Sequence, residues 1–355
     1  MVTIDVSLRA SAGYPKEFQF DRDWYRETYQ LAPSLRGDEV ERYFWQKGSP
    51  KGHNLSPYFN PLFVGMQLRA LGIEIDAKED PRDAYLENAS ELDPHPLLPR
   101  NPTCLSADHR LSKVSDTEWY NKSVFILRML DNQTTRHSLF FDPSFMVDAE
   151  GKPMERPLET YLRFHAQGDM KVSTLFDPEF YRSAYPDVAR AIEGGEHMSQ
   201  NLLEHFIAFG MRENRLPFPD LDLDYYASQN PDVASGVSES GISLVYHFLN
   251  FGLSEHRDPN PYFKTQYYIE AQPHVLEEIR RLRLVGPFEH FLKIGYKAGL
   301  KASQPLYSVE LPEHMGKVMY EKSAIRLRES SCETMRRSLF RPLRMRRRSP
   351  ASSQW

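Results

Sequence analysis

His205, His247 and His290 each stand directly before a phenylalanine, in Glu-His-Phe or Tyr-His-Phe. Imidazole is the commonest metal ligand and titrates near neutral pH, so three matched histidines raise a zinc site or an acid–base centre. Zinc ligands, however, converge to about 2 Å from a single ion. These three are separated by more than 40 residues (205, 247 and 290). The same aromatic neighbour at each points to one structural role used three times, and no metal is expected. Tyr181, Tyr226 and Tyr268 recur at matched positions as well. With the three histidines they are the candidate binding residues, because tyrosine joins apolar area to a polar handle.

Two stretches carry Asp-x-Asp: Asp220-Leu221-Asp222-Leu223-Asp224 and Asp21-Arg22-Asp23. The pattern resembles the metal and nucleotide-sugar motif of one large transferase class. Asp222 has a competing role, since an Asp just before a helix caps its free amides. A transferase of that kind also needs a sheet-based nucleotide fold, and alternating strand patterns are scarce here. Glu213 with Arg215, and Glu255 with Arg257, are spaced to pin a turn by an ion pair. The chain has no Gly-x-Gly-x-x-Gly, phosphate loop, His-Glu-x-x-His or Gly-x-Ser-x-Gly. Its two cysteines, Cys104 and Cys332, are too few for a disulfide framework and lack a nucleophile's flanking pattern. No catalytic residue and no cofactor are assigned.

The elements that position these residues form a repeat. One unit opens Phe176-Asp177-Pro178-Glu179-Phe180-Tyr181, passes Tyr185-Pro186-Asp187-Val188 and closes on Leu203-Glu204-His205-Phe206 before Gly210 and Glu213-Asn214-Arg215. Copies begin at 176, 221 and 263. A fixed period in this range marks a repeat array. Asp177 and Asp222 are the expected N-caps, with Pro178 at a first-turn position that needs no amide. The Pro-Asp-Val step is expected to break the first helix, with Asp capping the segment beyond it. A second helix runs through Leu202, Phe206 and Phe209. It is expected to end at Gly210, Gly252 or Gly295 in the left-handed conformation. One unit cannot bury its aromatic face alone, so neighbours must stack.

Fainter copies open at Phe20 with Trp24 and Tyr25, near Phe59, near residue 98 and at Phe141. The fold expected is all-α: a stacked helical repeat array of about six units of roughly 40 residues. Its boundaries are an N-terminal segment 1–19, diverged repeats 20–140, well-marked repeats 141–306 and a basic tail 307–355. Within the diverged part, 100–138 is the least regular stretch, with a helix expected from Glu118 to Leu130. Trp24, Trp45 and Trp119 are candidates for stacking on sugar rings or anchoring a partner.

Composition is that of a folded chain: 355 residues, 40% apolar, 26% charged and rich in aromatics at 12%. Lys317–Trp355 holds 11 Lys and Arg against three Glu, a net of +8. The whole chain is −5, so the remainder is −13. That acidic body argues against nucleic acid as a partner. Arg336, Arg337, Arg341, Arg344, Arg346, Arg347 and Arg348 instead suit an anionic membrane surface. No run is long and apolar enough for a membrane span, and Met1–Ala12 lacks the apolar centre of a secretory signal. The expected location is cytoplasmic, with peripheral attachment at the inner membrane as a variant.

The pattern Phe-Asp-x-x-(Phe/Tyr)-Tyr … Pro-Asp-Val … Leu-x-His-(Phe/Tyr) … Gly-x-x-Glu-x-Arg-x-Pro resembles helical repeats that accompany bacterial glycosyltransferases and other surface-polysaccharide proteins. The resemblance covers 176–300 strongly, 141–175 and 20–60 less so, and 61–140 weakly. It implies a non-catalytic scaffold or adaptor linked to polysaccharide synthesis. The partner implied is a glycosyltransferase or another polysaccharide-assembly protein, with glycan as a further candidate ligand. The alternative it leaves is a nucleotide-sugar-dependent glycosyltransferase, or a split-off non-catalytic part of one.

Overall fold

A computed structural model describes residues 14–303, apart from 75–78, 90, 99–135, 137, 166–168, 195–198 and 241. The expected opening near 98, the Glu118–Leu130 helix, Cys104, Trp119, Cys332 and the tail arginines fall on or run into the residues outside this description. The protein is all-α: short helices joined by turns, with isolated β-bridges and no strand among the described residues. None of these helices is long and apolar enough to cross a membrane.

One local order of helices recurs. Over 176–215 an opening helix, Pro178–Ala184, is followed by a middle helix, Pro186–Glu193, and a closing helix, Leu202–His205. The counterparts are Leu223–Gln229, Pro231–Ser240 and Leu244–His247, then Thr265–Ala271, Val275–Leu282 and Pro287–His290. The opening helix starts where its cap dictates. Asp177 accepts from the Phe180 amide at 2.9 Å, Asp222 from Tyr225 at 2.9 Å, Asp21 from Trp24 at 3.1 Å and Asn60 from Phe63 at 2.9 Å. Each cap satisfies one of the orphan amides of a helix start.

The capping residue's own amide does a second job. It donates to a carbonyl 30 to 40 positions downstream: Asp21 to Leu55, Asn60 to Pro94, Asp142 to Val172, Asp177 to Pro217, Asp222 to Pro259 and Lys264 to Ala302, at 2.7 to 3.0 Å. Each such bond draws the end of one segment onto its own beginning.

The middle helix is a departure from the sequence reading, which gave the Pro-Asp-Val step only as a break. Pro186 is the first helical residue and Asp187 lies in the first turn, not at the cap. The proline separates two helices because it disfavours helical geometry at Tyr185, yet it suits the first position of the helix it begins.

The core is aromatic. Tyr25, Phe59, Tyr85, Phe141, Tyr161, Tyr181, Phe206, Tyr226, Phe248 and Tyr268 are all essentially inaccessible. Rings meet edge-on or tilted, as in Tyr181–Phe206 at 5.8 Å and Tyr268–Phe291 at 5.6 Å, the geometry favoured by ring quadrupoles. Trp24 belongs to this core at 6% exposure, which corrects its assignment as a surface anchor. It lies on the buried side of the same short helix as Tyr25. Trp45 is half-buried, with the Arg82 guanidinium 5.6 Å from its ring centroid.

Contacts also reach between segments far apart in sequence. Buried Arg136 pairs with buried Glu289, and Lys293 pairs with Asp142. Asn60 donates to Glu204 at 3.4 Å, and His95 Nε2 faces Glu204 at 3.4 Å. Arg163 meets Asp21 at 2.9 Å. Contacts confined to adjacent units, as in an extended solenoid, would not produce these pairs.

Candidate functional site

The histidines and tyrosines singled out by spacing come together in pairs. Tyr181 Oη lies 2.9 Å from His205 Nδ1, Tyr226 Oη 2.9 Å from His247 Nδ1, and Tyr268 Oη 2.8 Å from His290 Nδ1. Each tyrosine comes from an opening helix and each histidine from the closing helix of the same segment. Burial holds all three phenols well above their usual range, so each keeps its proton and donates to the imidazole. The accepting Nδ1 leaves the proton on Nε2, which at His290 donates to Glu278 at 2.8 Å. Burial lowers the pKa of His247 as well, keeping it neutral.

Glycine completes the arrangement. Beyond each histidine the closing helix widens into a π turn, seen in the bonds Met211 N to Phe206 O, Leu253 N to Phe248 O and Tyr296 N to Phe291 O. Gly210, Gly252 and Gly295 lie in these turns. A Cβ on any of them would fall inside 3.0 Å of the tyrosine hydroxyl. The glycines are therefore required by a close approach, not by left-handed backbone, which corrects the sequence reading. The left-handed residue comes four positions later, at Asn214, His256 and Gly299 (φ 56°, 60° and 70°).

The first segment has the same latch with a substituted part. Tyr25 matches Tyr181, and Gly48 matches Gly210, with Tyr25 Oη against the place its Cβ would take. The histidine position holds Tyr43. The partner is His53 instead, five residues after Gly48, with Nδ1 at 2.8 Å from Tyr25 Oη. Its ring stacks on Tyr29 at 3.9 Å. Burial, aided by Lys51, brings His53 down to about 4. Sequence reasoning missed His53. The available signal was the Tyr and Gly of the pattern with its His missing.

These residues lie in separate segments, each bound to its own tyrosine. Tyr181, Tyr226 and Tyr268 are 0% exposed, and His205 and His290 are buried, so the candidate binding assignment becomes a structural one. The half-exposed member of the double tyrosine is Tyr225 or Tyr267. Among the described residues no group of three or more His, Cys, Asp or Glu could hold a metal ion. Glu213 pairs with Arg215 at 2.6 Å and Glu255 with Arg257 at 2.6 Å. Arg257 also reaches Asp232 at 3.0 Å and Asn230 at 2.7 Å, tying the turn to the start of the middle helix. Arg215 lies 4.8 Å from the Tyr185 ring centroid. Burial pushes the Tyr185 hydroxyl up to about 12, and it accepts from the Leu216 amide at 2.7 Å.

A cleft of about 490 Å³ opens elsewhere, between the first opening helix and the closing helix Pro157–Thr160. Its walls carry Lys16, Arg22, Arg156 and Arg163 against Glu17, Asp21, Asp23 and Glu159, with Phe20, Ser56 and Tyr58 between them. Arg163 organises the floor, meeting Asp21 at 2.9 Å, Tyr58 Oη at 3.1 Å and Glu159 at 3.3 Å. Arg156 also pairs with Glu159. Asp21-Arg22-Asp23 thus borders a cleft, while Asp222 of the other Asp-x-Asp caps its helix. Comparison with family models, with curated proteins and with solved structures found no match.

Proposed function

We propose that the protein is a non-catalytic scaffold or adaptor of bacterial surface-polysaccharide synthesis. In this reading it is a stacked array of about six helical units of roughly 40 residues. Its partner is a glycosyltransferase or another assembly protein, and the pattern's resemblance to transferase-associated repeats supplies that context. The observation that supports a structural chain is the use made of its chemistry-bearing residues. The recurrent tyrosines and histidines are bonded to each other under glycine, and the recurrent aspartates cap helices. A cytoplasmic location, with the basic tail at an anionic membrane surface, belongs to the same proposal.

A second reading is a nucleotide-sugar-dependent glycosyltransferase or a split-off part of one. The placement of Asp21 and Asp23 on a cleft favours it. Titration calorimetry of the purified chain against UDP-, GDP- and dTDP-sugars with Mn²⁺ or Mg²⁺ separates the two. Silence across that panel, with a cooperative helical melt, supports the scaffold. Binding that disappears in Asp222→Ala or Asp23→Ala without loss of fold overturns it.

A further inference from the structure

The cleft is a packing position that is filled elsewhere in the same molecule. Glu159, Glu204 and Glu289 are equivalent, each two residues before the buried ring of its closing helix (Tyr161, Phe206 and Phe291). At Glu204 the opposing segment supplies His95, and at Glu289 it supplies Arg136. Both contacts are sealed, with every one of the four side chains at most 3% exposed. His95 lies three residues before its segment's aromatic position, and Ser56 lies three before Phe59. The two serve the backbone in the same way. His95 Nδ1 accepts from the Leu97 amide at 3.1 Å, and Ser56 Oγ accepts from the Tyr58 amide at 3.3 Å. Serine stops there. It does not extend across to Glu159 as His95 extends to Glu204, and the cleft occupies the difference.

We infer that this cleft binds a neutral saccharide. Its volume lies in the range of small-molecule sites, about 300–1,000 Å³, and admits a mono- or disaccharide. Four cationic and four carboxylate side chains line it, a formal sum of zero. The guanidinium of Arg163 is already met by Asp21 and Glu159, so a diphosphate arriving there would compete with fixed carboxylates and face their charge. A hydroxyl group fits between such partners, because it donates to the carboxylate and accepts from the guanidinium at once. Phe20 and Tyr58 supply the apolar surface against which the carbon face of a sugar ring packs. The inference deepens the scaffold reading, on which it rests for its setting, by naming a ligand class and a place.

The test is titration of the full chain with maltose, cellobiose, lactose and N-acetylglucosamine, read by calorimetry and by saturation-transfer NMR. At least one is expected to bind with a Kd on the order of 1 mM, a few hydrogen bonds in open solvent. Ser56→His should refill the cleft as His95 fills its counterpart, lowering affinity at least tenfold with an unchanged melt. Glu159→Gln should also weaken binding at least tenfold; it is the readout if Ser56→His does not fold. Failure of all four sugars to bind at 50-fold that concentration overturns the inference and leaves the scaffold reading standing. So does binding that survives both substitutions. A nucleotide sugar that binds here through its diphosphate, more tightly than the free sugar, overturns both.

Discussion

Gly210→Ala sets two physical expectations against each other. Gly210 lies in a helical turn with ordinary negative backbone angles, and in such a place alanine normally stabilises by about 0.5–1 kcal/mol through the unfolded chain. The structure reverses the sign. A Cβ would meet Tyr181 Oη inside 3.0 Å, Phe206 Cδ2 at 3.0 Å and Tyr181 Cζ at 3.5 Å. The hydroxyl is the far end of its side chain, but the ring is 0% exposed and held among Phe176, Tyr185 and Phe206. Giving way means losing the bond to His205, about 1 kcal/mol net with buried Nδ1 left bare. Overpacking adds about 1–3 kcal/mol. We expect Gly210→Ala to cost about 2–4 kcal/mol in urea denaturation followed by far-UV circular dichroism. Tyr181→Phe alone should cost about 1–2 kcal/mol. The double variant should cost at least about 1 kcal/mol less than the sum, because the methyl then occupies the place of the lost hydroxyl. Gly65→Ala is the control: its Cβ would meet only Arg69 Nη2 at 3.9 Å, and it should stabilise by about 0.5–1 kcal/mol. Additive costs, or stabilisation by Gly210→Ala, would refute the latch.

Three further outcomes rest on the same geometry. Arg136→Ala strands the Glu289 carboxylate in the core and should destabilise by about 3–5 kcal/mol, whereas Arg136→Met with Glu289→Leu should recover most of that in the same denaturation assay. Asp177→Ala removes the cap on Pro178–Ala184 and should cost about 1 kcal/mol, with Asp177→Asn retaining most of it in thermal melts. His53 stays neutral in the folded chain down to about 4, whereas in the unfolded chain it takes a proton below 6.5. Its contribution is therefore full above pH 6.5 and is lost as pH falls through that window. Discounted for partial exposure, the loss is about 1–2 kcal/mol, and a His53→Gln chain should show a flatter pH profile between 6.5 and 4.

The features legible in the chain beforehand were local. Asp177, Pro178 and the aromatic face after them act within one helical turn, so residue type and spacing identify cap, first position and buried side. The Glu-x-Arg turn was legible for the same reason, since Glu213 and Arg215 are two residues apart. The middle helices were not, because proline marks a helix start and a helix break with the same letter. The role of Gly210 was misread because its constraint comes from a hydroxyl 29 positions earlier (Tyr181), and a glycine after an apolar helix suggests a terminus. His53 escaped because the latch keeps its geometry while its donor site moves along the chain. The pairs joining Arg136 to Glu289 and Asn60 to Glu204 carry no periodic signal. Their members are separated by 153 and 144 residues, and only the packed structure brings them together.

The Arg136–Glu289 pair also sets an order in time. A ribosome adds about 5–20 residues per second, so the 153 residues between the two take roughly 8–30 s to make. Throughout that interval the arginine has no carboxylate to receive it, and Asp142 likewise waits for Lys293, 151 residues on. The nascent N-terminal half must keep those charges hydrated and its segments open. Closure comes as one late event, when the final closing helix leaves the exit tunnel and delivers Glu289 and Lys293 together.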